Sequence, residues 1–167
     1  MLFRSGEAGE ICVRAPHAME QYWKRPEQTA EAFKGGWLHT GDIARADERG
    51  YLYIVDRKKD MIVSGGFNIF PREVEDVLTQ HADVAMCAVV GVPDDKWGEA
   101  VTAVVVAREG SRPNAEELIA LVKTKKGSAH APKHVQFVKE LPMTGVGKVD
   151  KKVLKASFWT GRDRMVG

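Results

Sequence analysis

The sequence lacks any apolar run long enough to cross a membrane. Its longest apolar stretches, residues 84–92 and 100–107, are far shorter than the roughly 20 residues that a bilayer-spanning helix needs. A dominant charge is also missing, because 25 basic residues face 23 acidic ones and the net charge is only +2. A membrane span is therefore excluded, and nothing in the charge balance points to nucleic acid as the main partner.

Cysteine is scarce as well. Cys12 and Cys87 lie far apart in the sequence, and neither has a second Cys or a His at the spacing of a metal site. Both sit in apolar, strand-like runs, which favours buried free thiols over a disulfide and predicts no metal ligands. The first residues lack the apolar segment of a signal peptide, so we expect a cytoplasmic protein.

The composition is that of a globular protein. Of the 167 residues, 44% are hydrophobic and 29% are charged. A chain of this length buries roughly 70% of its unfolded surface and forms one ordinary domain or two small ones. The polar run at residues 56–60 separates two different patterns, which predicts one domain over residues 1–56 and another over residues 57–167.

The first predicted domain is rich in β-structure. Residues 9–14 alternate between apolar and polar side chains like a half-buried strand, and residues 26–33 form a helix candidate with Pro26 in its first turn. Two strand-like runs, residues 43–45 and 51–55, are joined by a turn that contains Asp and Gly. These features predict a β-hairpin.

The second predicted domain mixes helices and strands. Pro71 opens an amphipathic helix, Asn114 caps a second one, and a basic segment from Lys148 to about Ala156 is expected to be helical. Valine-rich strands are predicted at residues 84–90 and 101–106, with a short one at 135–138. We therefore expect an α+β fold, a small sheet in the order βαββαβ with antiparallel pairing and packed helices.

A glycine-flanked lysine ends residues 142–148. The segment has part of a phosphate-binding loop, but Pro142 stands where that loop needs Gly, and Val149 replaces the Ser or Thr that should follow the lysine. What remains is a loop that can place the point charge of Lys148 onto an anion. An ordinary surface loop is the alternative.

Two further motifs have both a functional and a plain structural interpretation. Asp42 directly follows Gly41 next to the hairpin, where its carboxylate could accept hydrogen bonds from two ribose hydroxyls or simply cap a turn. The pair Gly65 and Gly66 lets a ligand or backbone approach closely. The charged residues around that pair are equally typical of a solvated linker.

Together, these motifs resemble the adenylate-forming superfamily of acyl-CoA synthetases, luciferases and adenylation domains. The resemblance rests on the order and spacing of residues 37–42, 56–75, 91–99, 132–133 and 141–148, and it extends from about Gly9 to Lys155. It implies that residues 1–56 are the β-rich end of a large N-terminal AMP-binding domain. Residues 57–167 would be the small, mobile C-terminal lid domain.

The resemblance also implies roles for individual residues. Lys148 matches the catalytic lysine of adenylation, Asp42 and Arg57 would bind the AMP ribose, and Lys59 falls at the hinge. Four residues would contact CoA: Gly65, Gly66, Trp97 and Lys133. The implied co-substrates are ATP and CoA, and Mg²⁺ would be held with the ATP phosphates mainly by residues outside this chain.

The function implied is activation of a carboxylic acid, expected to be a fatty acid, as acyl-AMP, followed by transfer to CoA. CoA is favoured as the acceptor because only a short segment follows Lys148. One alternative is loading of a carrier protein; another is a non-catalytic interaction module, if no ATP-binding domain precedes this chain. The expected partners are the acid, ATP, CoA and the large N-terminal domain, and we expect this chain alone to be inactive.

Overall fold

A computed structural model describes residues 6–159. Within it the chain divides into two compact units, one up to Lys59 and one from Asp60 onward. The sequence places the boundary after residue 56, three positions earlier. The difference arises because the last strand of the first unit continues to Arg57 and is followed directly by a 3-10 turn, Lys58–Asp60.

The first unit is a small antiparallel sheet. Its strands are β1 (Ala8–Val13), β2 (Leu38–Ala46) and β3 (Leu52–Arg57), in that spatial order, with helix α1 (Pro26–Ala32) and a 3-10 turn between β1 and β2. The expected hairpin is present, and its strands are longer than predicted. The side chain of Asp47 closes the turn by accepting hydrogen bonds from the backbone N–H groups of Arg49 and Tyr51.

The second unit is an α+β fold, as expected. Its elements are β4 (Ile62–Ser64), β5 (Phe67–Ile69), α2 (Pro71–Leu78), β6 (Val84–Asp94), β7 (Gly98–Ala107), α3 (Ala115–Lys126), β8 (His134–Phe137) and α4 (Lys151–Phe158). The sheet has the order β5-β4-β7-β6, and β8 also pairs with β7. That last pairing is parallel, whereas the sequence suggested antiparallel pairing; helix α3 supplies the crossover that a parallel connection requires.

Both faces of this sheet are covered. Helices α2 and α3 pack on one face through a cluster that includes Val74, Leu118 and Val101. The opposite face carries a second cluster in which Leu141 and Leu154 pack on Ala88, Val90 and Val104 of β6 and β7. Because neighbouring residues of a strand point to opposite faces, the valine-rich runs of β6 and β7 supply both clusters.

Two local predictions need correction. The last helix does not begin at Lys148: Asp150 caps it by accepting the N–H groups of Lys152 and Val153, so α4 starts at Lys151 and Lys148 stays in the preceding turn. Both cysteines are free thiols, but only Cys87 is buried. Cys12 is half-buried because its sheet is covered less completely. Among the described residues, no helix is long and apolar enough to span a bilayer.

Candidate functional site

Lys148 stands in an exposed turn whose backbone is fixed by hydrogen bonds. The N–H of Thr144 donates to the carbonyl of Lys148 at 2.7 Å, and the N–H of Lys148 donates to the Thr144 hydroxyl at 3.2 Å. Below the turn, Met143 and Val149 form an antiparallel bridge. The loop that carries Lys148 is therefore well defined and its lysine is exposed. That this charge is presented to an anion stays a prediction.

An ion pair fixes the chain just after this loop. Lys151, the first residue of α4, contacts the Glu75 carboxylate of α2 at 2.7 Å, and both side chains are less than one fifth exposed. The same Glu75 oxygen accepts the N–H of Val89 at 2.7 Å on the outer strand β6. Charge-assisted hydrogen bonds of this kind are among the stronger ones, so the base of the Lys148 loop is attached to the sheet.

The two residues predicted for the ribose lie side by side in the first unit. Asp42 and Arg57 are direct neighbours across strands β2 and β3, and the Arg57 Nε lies 2.8 Å from the Asp42 Oδ1. Gly41, just before, has a φ of +73°, a left-handed conformation that glycine adopts readily. The Arg57 guanidinium thus fixes the orientation of the Asp42 carboxylate.

Lys59, the predicted hinge residue, lies in the 3-10 turn Lys58–Asp60, where the first compact unit ends. Its side chain is exposed. A short turn between a strand of one unit and the first strand of the next is a segment that can absorb changes in backbone dihedral angles.

Three of the four residues predicted for CoA meet at the Trp97 ring in the second unit. Gly65 lies so close that a Cβ at its position would stand 2.7 Å from a ring carbon of Trp97, and its N–H donates to the Trp97 carbonyl at 2.9 Å. The ammonium of Lys133 lies 5.1 Å from the ring centroid. The indole is 37% exposed. Gly66 adjoins this cluster in the β4–β5 turn and has open space around it.

A second ammonium group, which was not predicted from the sequence, lies at this ring. The Nζ of Lys96 lies 4.9 Å from the Trp97 centroid, within the range of a cation–π contact. The turn that holds both residues is fixed by Asp94, whose carboxylate accepts the N–H groups of Trp97 and Lys96. Those bonds, the one from Trp97 foremost, lower the pKa of Asp94. The place of Lys96 next to Trp97 in the sequence could have suggested this contact.

A buried carboxylate supports the same region. Glu99 is almost fully buried and accepts the N–H of Val63 at 2.8 Å, which ties strand β4 to strand β7 next to the Gly65 turn. Its carboxylate also packs against Gly91, where a Cβ would lie only 2.9 Å from the carboxyl carbon. Glu99 therefore shapes the turn without facing solvent, a role that the sequence analysis did not find.

The first unit also holds a polar network that the sequence did not predict. The Nδ1 of His39 lies 2.9 Å from the Glu10 Oε2 and 3.4 Å from the Cys12 sulfur, and the Lys58 ammonium lies 3.0 Å from the same Glu10 oxygen. Burial by itself would raise the pKa of Glu10, but the hydrogen bonds from His39 and Lys58 outweigh it and lower the pKa. Burial and the nearby Glu10 carboxylate raise the pKa of the Cys12 thiol.

The comparisons with known proteins identify the class to which this architecture belongs. Residues 73–148 match the family described as AMP-binding enzyme C-terminal domain. The sequence is 57% identical to the medium/long-chain-fatty-acid–CoA ligase FadD8 of Mycobacterium tuberculosis, over 98% of this chain and 30% of that protein. The chain therefore spans about three tenths of the length of this curated relative.

Solved structures give the same result. The amide bond synthetase McbA from Marinactinospora thermotolerans superposes with a TM-score of 0.83 at 46% identity, over 93% of this chain and 32% of that one. ATP-bound MatB from Rhodopseudomonas palustris superposes with a TM-score of 0.85 at 37% identity, over 93% and 31%. The fold is thus that of adenylate-forming enzymes. The chain belongs to the adenylate-forming, AMP-binding superfamily and matches its C-terminal portion.

Proposed function

We propose that this chain is the C-terminal part of an ATP-dependent acyl-CoA synthetase. The whole enzyme would activate a carboxylic acid, a fatty acid by similarity to the ligases it resembles, as acyl-AMP and then transfer the acyl group to CoA. Among the described residues, the arrangement of Gly65, Lys96 and Lys133 around the exposed Trp97 ring carries the proposal. An aromatic face flanked by ammonium groups suits a phosphorylated purine nucleotide such as that of CoA.

In the first half-reaction, Lys148 would act at the α-phosphate. The carboxylate of the acid attacks the α-phosphorus of ATP, and the bond to pyrophosphate breaks. Negative charge gathers where two anions meet, so an ammonium that bridges them stabilises the transition state more than the separated reactants. The exposed position of Lys148 on a hydrogen-bonded turn supports this role.

Asp42 and Arg57 would hold the ribose of the same nucleotide. A carboxylate can accept hydrogen bonds from both vicinal hydroxyls, and the 2.8 Å contact with Arg57 fixes its orientation. These side chains would bind the nucleotide without taking part in bond formation, so their loss should raise KM more than it lowers kcat.

In the second half-reaction, a change of backbone dihedral angles at Lys59 would reorient the lid domain. The turn with Gly65 and Gly66 would then line the path of the CoA thiol, and Trp97 with Lys133 would contact the CoA nucleotide. Lys96 is added to this set because its ammonium flanks the same ring. The thiolate attacks the acyl carbon, and AMP leaves.

Mg²⁺ is expected with the ATP phosphates, but the described residues offer it no fitting site. Between residues 6 and 159, the group of donors that could hold an ion is Glu10, Cys12 and His39. Mg²⁺ prefers oxygen ligands and bound water over a thiolate and an imidazole. We therefore propose that its protein ligands lie outside this chain, as would the pocket that selects the acid. We also propose a cytoplasmic location.

The decisive experiment separates the two half-reactions in a full-length enzyme that carries this chain. Lys148→Ala should lower acyl-AMP formation by roughly 100-fold or more while thioester formation from supplied acyl-AMP is retained. Trp97→Ala should show the reverse pattern. Lys152→Ala, which removes another exposed lysine close by, should change neither. Equal loss of both half-reactions in Lys148→Ala would contradict the role given to Lys148.

A second acceptor is suggested by the likeness to an enzyme named an amide bond synthetase. An amine could attack the same acyl-AMP in place of CoA. Incubation of the full-length enzyme with acid and ATP plus CoA, an amine or a carrier protein, followed by mass spectrometry, distinguishes the products. Acyl-CoA as the main product supports the proposal, whereas an amide or an acylated carrier overturns the choice of acceptor.

A further inference from the structure

The network on β1 and β2 unites three of the side-chain types that bind transition metals. Glu10 and Cys12 lie two residues apart and share one face of β1, and Cys12 is the direct cross-strand neighbour of His39 on β2. A carboxylate oxygen, the sulfur and the Nδ1 nitrogen lie within 4.8 Å of one another, and all three residues are half-buried. The set contains one hard, one borderline and one soft ligand.

Two of the three distances between the donor atoms come close to those expected around a tetrahedrally coordinated ion. Zinc–nitrogen and zinc–oxygen bonds of about 2.0 Å and a zinc–sulfur bond of about 2.3 Å place neighbouring ligand atoms about 3.3 to 3.6 Å apart. In this structure the sulfur-to-Nδ1 distance is 3.4 Å and the Nδ1-to-Oε2 distance is 2.9 Å. The Glu10 oxygen lies within 4.8 Å of the sulfur. A turn of the carboxylate that brings this oxygen to about 3.3 Å from Nδ1 and about 3.5 Å from the sulfur would complete three corners of the tetrahedron.

The surroundings prepare these side chains for such an ion. The Nε2 of His39 lies 3.1 Å from the carbonyl oxygen of Lys34, which holds a proton on Nε2. Loss of the Nδ1 proton that bonds to Glu10 would therefore leave Nδ1 as the nitrogen that binds a metal. Ligating histidines usually make this kind of outer hydrogen bond. The Glu10 Oε1 accepts the N–H of Gly41, which leaves Oε2 facing the histidine.

We propose that Glu10, Cys12 and His39 form a binding site for a zinc-like divalent cation that clips β1 to β2. Binding forms bonds to Oε2, Sγ and Nδ1, and two protons are released to solvent: the thiol proton of Cys12 and the Nδ1 proton that His39 donates to Glu10. The ion also replaces the Lys58 ammonium at Oε2; the Lys58 side chain is 59% exposed and can turn into water. The fourth position is left for water.

We give the ion no role in the adenylation steps, so its test needs no enzyme activity. The untagged 167-residue chain is titrated with Co²⁺, a spectroscopic substitute for Zn²⁺. We expect a thiolate-to-cobalt charge-transfer band, together with the visible bands of four-coordinate cobalt, and expect Zn²⁺ to remove both. Cys12→Ser should abolish the charge-transfer band, and His39→Gln should weaken binding by roughly 100-fold or more.

Two controls make the result specific. Cys87→Ser removes the buried thiol of the other unit and should leave the titration unchanged. Lys58→Met removes the competing ammonium and should tighten metal binding several-fold. Absence of a band up to millimolar Co²⁺, or a band that persists in Cys12→Ser, overturns the inference.

A second measurement applies if a variant fails to fold. In the unaltered chain, Zn²⁺ should slow the modification of Cys12 by a thiol reagent at least tenfold, as followed by mass spectrometry of peptides, and leave the rate at Cys87 unchanged. An unchanged rate at Cys12 would overturn the proposal without any substitution.

Discussion

The two units differ in how completely their sheets are covered. In the unit from Asp60 onward, side chains pack on both faces of the sheet and form two buried clusters. In the unit up to Lys59, strand β3 and the residue before it carry large side chains that are each more than half exposed: Tyr51, Leu52, Tyr53 and Ile54. Because successive residues point to opposite faces, both faces of β3 are uncovered there.

The difference shows which of the two units has a buried core on both sides of its sheet. The second unit has a buried apolar cluster on each face of its sheet, whereas the first presents an apolar edge strand of a three-stranded sheet. Exposed edges of this kind are normally paired or covered in natural proteins. This agrees with the expectation that residues before the boundary are the end of a larger domain, a division that stays a proposal.

The comparison is tested most strongly by truncating one apolar side chain in each unit. Leu118→Ala removes a fully buried side chain between α3 and the sheet and should lower the free energy of unfolding by about 2 to 5 kcal/mol. Ile54→Ala, at a side chain that is 57% exposed, should change it by about 0.5 kcal/mol or less. Urea unfolding followed by circular dichroism measures both, and equal losses would contradict the contrast between the units.

The sequence predicts the second unit well because its signals are local. These signals are the alternation of apolar and polar residues, Pro71 at a helix start and Asn114 as a helix cap, and each acts within a few residues. The structure confirms the two helices that Pro71 and Asn114 predict. The predicted start of α4 at Lys148 was wrong because Asp150 caps the helix, which therefore begins at Lys151. The parallel β7–β8 pairing was missed because it depends on contacts far apart in the chain.

The candidate site shows the same limit. The sequence motifs locate Asp42, Arg57, Trp97 and Lys148, but only the strand register brings Asp42 next to Arg57. The network of Glu10 with His39 arises from a bulge in the β1–β2 pairing, and no spacing in the sequence reveals it. Residues that lie together through register or folding are therefore found only in the structure.

Within the well-packed unit, adjacent glycines offer a sharper test. Gly65 and Gly66 both have positive φ, but only Gly65 faces an atom that a Cβ would strike, a ring carbon of Trp97. Gly66→Ala therefore measures backbone strain alone, about 1 kcal/mol. Gly65→Ala should cost about 1 to 3 kcal/mol, displace the indole and alter tryptophan fluorescence. Identical effects of the two substitutions would mean that contact with the ring is unimportant.

In the unit up to Lys59, the decrease in the free energy of unfolding at low pH should depend on Glu10. Its lowered pKa means that the ionised form is stabilised in the folded state, so the gain exists above the ordinary carboxyl pKa of 4.5 and is lost as pH falls below it. Glu10→Gln should lower the free energy of unfolding by about 1 kcal/mol at pH 7. Against the unaltered chain, this difference should shrink towards pH 3. A difference that stays constant with pH would contradict the assignment.

A small effect on stability is also expected at the Asp42–Arg57 pair. Arg57 is more than half exposed, and exposed ion pairs contribute only about 0.2 to 1 kcal/mol. Arg57→Gln should therefore change the unfolding midpoint about as little as Arg49→Gln, which breaks a longer and more exposed pair with Asp47 at 3.5 Å. In the full-length enzyme, only Arg57→Gln should raise the KM for ATP. A large loss of stability in Arg57→Gln would mean that the ion pair stabilises the hairpin. The proposal that Asp42 and Arg57 bind the ribose would then lack support.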